Sequence, residues 1–147
     1  MSRALEEQNR RLLRARDAMD RTYAEPLDVP ALARIACVSD AHFIRTFRAT
    51  FGETPHRYLQ RRRVERAMWL LRETDRRVTD ICLDVGFNSL GTFSRTFRAI
   101  VGVSPAAYRH DHGRVGGAVP TCVTPSCFVM AWARPSSFGE DARRRSR

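Results

Sequence analysis

Along residues 6–23 the apolar positions Leu12, Ala15, Met19 and Tyr23 fall on one side of a helical period while arginines cover much of the rest, which predicts an amphipathic helix. Pro26 stops it. Asp28 then caps a second helix over 29–36, with Leu32, Ala33 and Ile35 expected to face inward, and Cys37-Val38 make a short turn. Ser39 caps a third helix that runs to about Phe51 and ends at Gly52. Thr54-Pro55 opens a longer helix reaching about Arg72. Its apolar positions are Tyr58, Leu59, Val64, Ala67, Leu70 and Leu71, and Arg57, Arg61, Arg62, Arg63 and Arg66 line its other face. A helix over 77–85, a turn at 86–88 and a helix over 89–101 follow. In the last of these Phe93, Phe97 and Ile100 recur at spacings of four and three. Gly102 ends that helix, and Ser104-Pro105 starts another as N-cap and first helical residue.

The pattern occurs twice, fifty positions apart. Ser39/Ser89, Phe43/Phe93, Arg45/Arg95, Thr46/Thr96, Phe47/Phe97, Arg48/Arg98, Ala49/Ala99, Gly52/Gly102, Pro55/Pro105 and Tyr58/Tyr108 are identical without a gap. Ten identities in the twenty positions 39–58 mark an internal duplication, since roughly one would arise by chance. Each copy reads as two short helices joined by a tight turn, the second helix beginning with a capped, accessible first turn: a helix-turn-helix unit. The expected fold is all-α, with two such three-helical lobes, about 9–52 and 77–110, joined by a linker helix over about 55–72. About 18 linker residues at ~1.5 Å each make a rod of ~27 Å. That is of the order of the ~34 Å between successive major-groove segments on one face of B-DNA.

Charge sharpens this picture. A net charge of +10 asks for a polyanionic partner, and all 26 basic residues are arginine, whose planar forks suit phosphates and guanine edges, although genome composition also accounts for the bias. No run of about 18 apolar residues predicts a membrane span, and the charged start MSRALEEQNRR lacks a signal-peptide core, so a cytoplasmic protein with no membrane partner is expected. Cys37, Cys82, Cys122 and Cys127 are too few and too unevenly placed for a disulfide framework. His110, His112, Cys122 and Cys127 could gather a metal, but their spacing matches no standard zinc module, and no metal or other cofactor is expected. Paired carboxylates in a pocket, a phosphate loop and a Cys/His constellation are all lacking, so the chain does not read as an enzyme. Residues 113–147 are rich in Gly, Pro, Ser and Thr and end in a basic run, which predicts a largely disordered tail, with CFVMAW at 127–132 as an apolar exception.

The stretch GFNSLGTFSRTFRAIVGVSPAAYR resembles the signature of the AraC/XylS transcription regulators, in which GF, a few variable residues and FsrxF precede G-x-[ST]-P-x-x-[YF]-R. LARIACVSDAHFIRTFRATFG resembles that family's first helix-turn-helix, and RVERAMWLLRET its R-x-x-x-A-x-x-L-L linker. The likeness covers about 12–109, within an expected domain of 6–112. It implies an all-helical, bilobed domain that binds double-stranded DNA as a monomer in the bacterial cytoplasm, associated with the nucleoid when bound. It further implies activation or repression of transcription, often by contact with RNA polymerase. Most members carry a separate sensor or dimerisation domain. This chain looks like a short stand-alone member or a DNA-binding half whose sensor is absent. The competing readings are a sequence-tolerant basic DNA-coating protein and a regulator with cysteine-based redox or metal sensing.

Positions that reach bases in the family fall on Asp40, Ala41, Ile44 and Arg45 in the first recognition helix and on Leu90, Gly91, Thr92, Ser94 and Arg95 in the second. Arg45 and Arg95 are the principal expected base contacts, since an Arg fork grips O6 and N7 of guanine. Ala41, Ile44, Leu90 and Gly91 supply only thymine-methyl contact or close approach. Asp40 either accepts from cytosine N4 or serves the helix dipole. Arg48, Arg98, Arg61 and Arg62 are expected phosphate contacts, as are Thr54 and Ser104 at helix N-termini, where simple capping explains the hydroxyls equally well. Trp69 and Trp132 are candidate partner contacts. Cys37 stands where the family commonly has glycine, so either it adopts a left-handed conformation at a cost of about 1 kcal/mol or the turn differs.

Overall fold

The computed structural model describes residues 2–113, and within them every regular element is a helix. The helices are α1 (Arg3–Arg21), α2 (Val29–Ala36), α3 (Asp40–Phe51), α4 (Pro55–Glu73), α5 (Val78–Asp84), α6 (Leu90–Val101) and α7 (Pro105–His112). The tail, with Cys122, Cys127, Trp132 and the CFVMAW run, lies outside the described residues. No described helix is long and apolar enough to cross a membrane.

The polypeptide forms two compact units, one ending at Leu59 and one beginning at Gln60, so α4 contributes to both. In the first unit α1 packs on α2 and α2 on α3. Leu12, Ala15, Met19, Leu32, Ala33, Phe43, Phe47, Tyr58 and Leu59 form its buried cluster. The Tyr58 hydroxyl donates to Asp20 Oδ1 at 2.7 Å, which ties the first turn of α4 to α1. In the second unit α5 packs on α6 and α6 on α7, and Val64, Ala67, Leu71, Ile81, Val85, Phe93 and Phe97 are fully buried.

Local chemistry sets the element ends. The Asp28 carboxylate accepts from the Ala31 amide at 3.1 Å, and the Ser39, Ser89 and Ser104 hydroxyls accept from the amides of His42, Thr92 and Ala107. Gly52 and Gly102 close α3 and α6 at φ 78° and 95°, a conformation in which a Cβ is strained. The duplication is visible in the aromatic packing. Phe43 and Phe47 lie 5.6 Å apart and Phe47 meets Tyr58 edge-on at 5.7 Å, while Phe93, Phe97 and Tyr108 repeat the arrangement at 5.7 Å and 5.7 Å.

The register changes ahead of α3 and α6. Cys37 N–H donates to the Arg34 carbonyl and Val38 N–H to that of Ala33; in the second copy the same pair of bonds runs from Gly86 to Leu83 and from Phe87 to Cys82. Cys37 and Gly86, at φ 56° and 99°, are therefore the equivalent left-handed residues, and they stand 49 rather than 50 apart. Burial follows the same offset, with Leu32, Ala33 and Ala36 matching Ile81, Cys82 and Val85. The second turn thus holds one residue more.

Three expectations are corrected. Ile35 is 39% exposed and Ala36 takes the inward place, because the face of α2 that meets α1 and α3 passes through positions 32, 33 and 36. Arg63 is buried, not on the solvent face of α4. Its guanidinium lies over the Phe87 ring at 5.8 Å, and burial lowers its pKa from the usual guanidinium value without discharging it. Tyr23 lies beyond the end of α1 and is only partly buried against the core.

Of the two alternatives for Cys37, the left-handed one holds. Cys37→Gly should therefore raise the urea-unfolding free energy by about 0.5–1 kcal/mol, the relief of the left-handed strain less the entropy glycine adds to the unfolded chain. The β-branched Cys37→Val should lower it by more than about 1 kcal/mol. A destabilised Cys37→Gly protein would contradict the assignment.

Candidate nucleic-acid interface

With Phe43 and Phe47 turned into one core and Phe93 and Phe97 into the other, a 3.6-residue period sends Ala41, Arg45, Arg48 and Ala49 of α3 to the opposite side. Gly91, Arg95, Arg98 and Ala99 of α6 take the same places, and all eight residues are exposed. The side chains of Arg45, Arg48, Arg95 and Arg98 make no hydrogen bond or ion pair to any described residue. Each helix therefore presents two uncompensated guanidinium groups, one helical turn apart, around small residues that leave the backbone accessible.

The remaining base-contact candidates surround these arginines. Ile44 and Leu90 are 39% and 44% exposed. Asp40 is exposed in the first turn of α3, where its charge complements the positive helix end. Thr92 is exposed but partly occupied, since the Ser89 hydroxyl lies 3.2 Å from its Oγ1. Ser94 is half-buried. A Cβ on Gly91 would meet only Ser89 Oγ at 3.8 Å, so no packing inside the unit requires a glycine there.

The phosphate candidates divide. Arg48 and Arg98 are unengaged, whereas Arg61 Nη1 lies 2.8 Å from Glu65 Oε1 and Arg62 Nη1 pairs with Glu65 Oε2. Glu65, which engages both arginines, is a residue that the sequence reading passed over. The spacings 61/65 and 62/65, four and three on one helix, were its signal. Thr54 Oγ1 and Ser104 Oγ accept from the amides of Arg57 and Ala107 at 3.2 and 3.1 Å, so both hydroxyls are caps.

Arg109 was also passed over. Its Nε donates to the Leu71 carbonyl at 3.3 Å and its Nη2 to that of Thr74 at 3.4 Å, so it satisfies carbonyls at and just past the end of α4 and fixes α7 against it. Trp69 is 43% exposed beneath the Arg66 guanidinium, 4.4 Å from the ring centre.

Nothing in the described part gathers a metal. His110 pairs with the neighbouring Asp111, His112 stacks on Tyr108 at 4.5 Å, and among the described residues no three His, Cys, Asp or Glu side chains converge. Cys82 is buried, which pushes its thiol pKa up and disfavours the reactive thiolate. Cys37 is an exposed free thiol.

A helix-turn-helix domain family matches residues 32–111. The chain is similar to the regulatory protein SoxS of Salmonella typhimurium, with 35% identity over 92 residues that cover 63% of this chain and 86% of SoxS. Five other curated relatives are much longer, and the chain spans between 13% and 34% of their length. Among solved structures, the DNA-binding domain of AdpA, a global transcriptional factor crystallised with a target DNA, superposes with a TM-score of 0.65 at 34% identity, over 69% of this chain and 91% of that one. An AraC-type DNA-binding-domain protein from Chromobacterium violaceum does so with a TM-score of 0.67 at 30% identity, over 74% and 96%.

Because Ser89 and Ser104 act as caps, replacing either by alanine should lower thermal stability by about 1 kcal/mol. Ser94→Ala, at a hydroxyl that bonds no described residue, should leave it unchanged or slightly higher. Equal melting shifts for all three variants would contradict the capping assignment.

Proposed function

The chain belongs to the AraC-type family of helix-turn-helix regulators, and from this premise we propose that it binds specific double-stranded DNA, with α3 and α6 each entering a major-groove segment, and thereby regulates transcription. The observation that carries the reading is the repeated pair of outward, unengaged arginines on two capped helices of equal length. A guanidinium with no internal partner keeps its whole donor fork for an external acceptor, and the major-groove edge of guanine offers two acceptors in matching geometry. Arg45 and Arg95 point most directly away from their cores and act as the base readers. Arg48 and Arg98, one turn further along, contact phosphates.

Ala41 and Gly91 let each helix approach the groove floor closely. Thr92 and Ser94 add at most one hydroxyl contact each, and Asp40 serves the helix dipole. Arg61 and Arg62 reach phosphates only by leaving Glu65, so their contribution is weaker than their charge suggests. The single chain holds both recognition helices and therefore binds as a monomer, acting in the cytoplasm on RNA polymerase at the promoter. The net charge of +10 steers it to DNA. Crystallisation of the AdpA domain with its target DNA supports the DNA reading at 34% identity.

Selection of bound sites from random DNA, followed by titrations over base variants, tests the assignment. Arg95→Ala should cost about 1–3 kcal/mol at the selected site and relax preference at one base pair. Arg48→Ala should weaken all sites alike and lower the salt slope by about one. Glu65→Gln should do the opposite, tightening binding evenly and steepening the salt dependence as the one carboxylate charge beside Arg61 and Arg62 is removed. Identical profiles for Arg95→Ala and Arg48→Ala would overturn the division of roles, and equal affinity for selected and random DNA would overturn sequence-specific binding itself.

A further inference from the structure

We propose that Ile44 and Leu90 read thymine through its 5-methyl group, so that each half of the operator is recognised by one guanidinium fork and one aliphatic contact. The inference rests on the DNA reading above and concerns which base chemistry this chain selects. Three observations carry it. Ile44 and Leu90 are large aliphatic side chains left 39% and 44% exposed on the two helices that carry the unengaged arginines. Ile44 lies one turn before the outward Arg48 on the same flank of α3, and Leu90 begins α6 immediately after its Ser89 cap. A Cβ on Gly91, beside Leu90, would meet only Ser89 Oγ, at 3.8 Å, so packing inside the unit does not require the glycine, and its missing side chain leaves the backbone next to Leu90 accessible.

The major groove offers an aliphatic side chain one alkyl group, the thymine 5-methyl, whereas guanine, adenine and cytosine present hydrogen-bond donors and acceptors there that an aliphatic contact would leave unsatisfied. Apposition of Ile44 or Leu90 to a thymine thus removes apolar surface from water on both partners. Apposition to guanine, adenine or cytosine desolvates polar atoms without return. The preference is a difference of affinities with an attractive and a repulsive part. The duplication does not predict this pairing, because the residue equivalent to Ile44 in the second copy is Ser94 and the residue equivalent to Leu90 in the first is Asp40. The aliphatic contact therefore comes from the middle of one recognition helix and from the first turn of the other, and the two half-sites need not be the same sequence.

Deoxyuridine, which differs from thymidine only by lacking that methyl, makes the test independent of protein folding. Each thymine of the selected site is replaced in turn by deoxyuridine and the affinity of the full-length protein is measured by fluorescence anisotropy at fixed salt. Two positions should each lose about fourfold, the hydrophobic worth of one buried methyl group. At one of them Ile44→Ala should bind the thymine and deoxyuridine sites equally while Leu90→Ala keeps the difference, and at the other the roles should exchange. Indifference of the wild-type protein to every deoxyuridine, while it still separates the selected site from random DNA, would overturn the methyl readout and leave the DNA reading intact. Retention of the full thymine preference by both alanine variants would overturn the assignment of the two residues. Failure to select any site would remove both readings together.

Discussion

Phe47 and Phe97 never reach solvent, yet they determine where the outward arginines project. Each ring touches a phenylalanine one turn earlier in its own helix and, edge-on, the tyrosine in the first turn of the helix that follows. Rotation of α3 or α6 about its own axis would pull both rings out of a fully buried site, and truncation of such a phenylalanine costs about 3–5 kcal/mol in other cores. Arg45 and Arg95 lie almost diametrically opposite these rings on the helix. Their direction is thus set by packing on the far side and not by any bond of their own.

A common frame carries unlike surfaces. The aromatic packing, the glycine stop and the serine caps recur in both copies, whereas the outward flanks differ: Asp40, Ala41 and Ile44 in one, Leu90, Gly91 and Ser94 in the other. Packing constrains the inward positions to near identity, and the outward Arg45/Arg95, Arg48/Arg98 and Ala49/Ala99 are also kept, whereas these flanking positions are not. The linker helix shows a different economy of charge. Five of its arginines were expected on one solvent face, but one is buried over an aromatic ring and two share a single glutamate, so its effective field is weaker than the residue count implies.

Much of this architecture was legible because it is local. A capping serine, a glycine past a helix end and phenylalanines four apart act within one or two turns, and a linear reading finds them. What escaped was non-local or a contest between near equals. Arg109 reaches carbonyls 38 and 35 positions earlier, a distance no periodicity reveals. Arg63 is drawn inward by Phe87, from another helix. Ile35 and Ala36 are both apolar neighbours at the end of α2, and the smaller one won the inward place because the contacting face passes through its position. Glu65 is within reach of a linear reading, since its partners are three and four residues away. For the interface, sequence and resemblance together named the outward residues, while their exposure and lack of internal partners emerged only from the fold.

The one-residue difference between the two turns separates what is duplicated from what is merely similar. Identity at fixed spacing begins at the serine cap and continues through the glycine corner to the tyrosine of the next helix, and it fails on the upstream side, where the equivalent residues stand 49 apart. The repeated unit in this chain is consequently a helix together with the corner that follows it, and not the turn and helix by which such motifs are usually delimited. A chimera that exchanges residues 39–58 for 89–108 would transplant each helix with its own aromatic anchor, leaving the upstream turn free to differ in length.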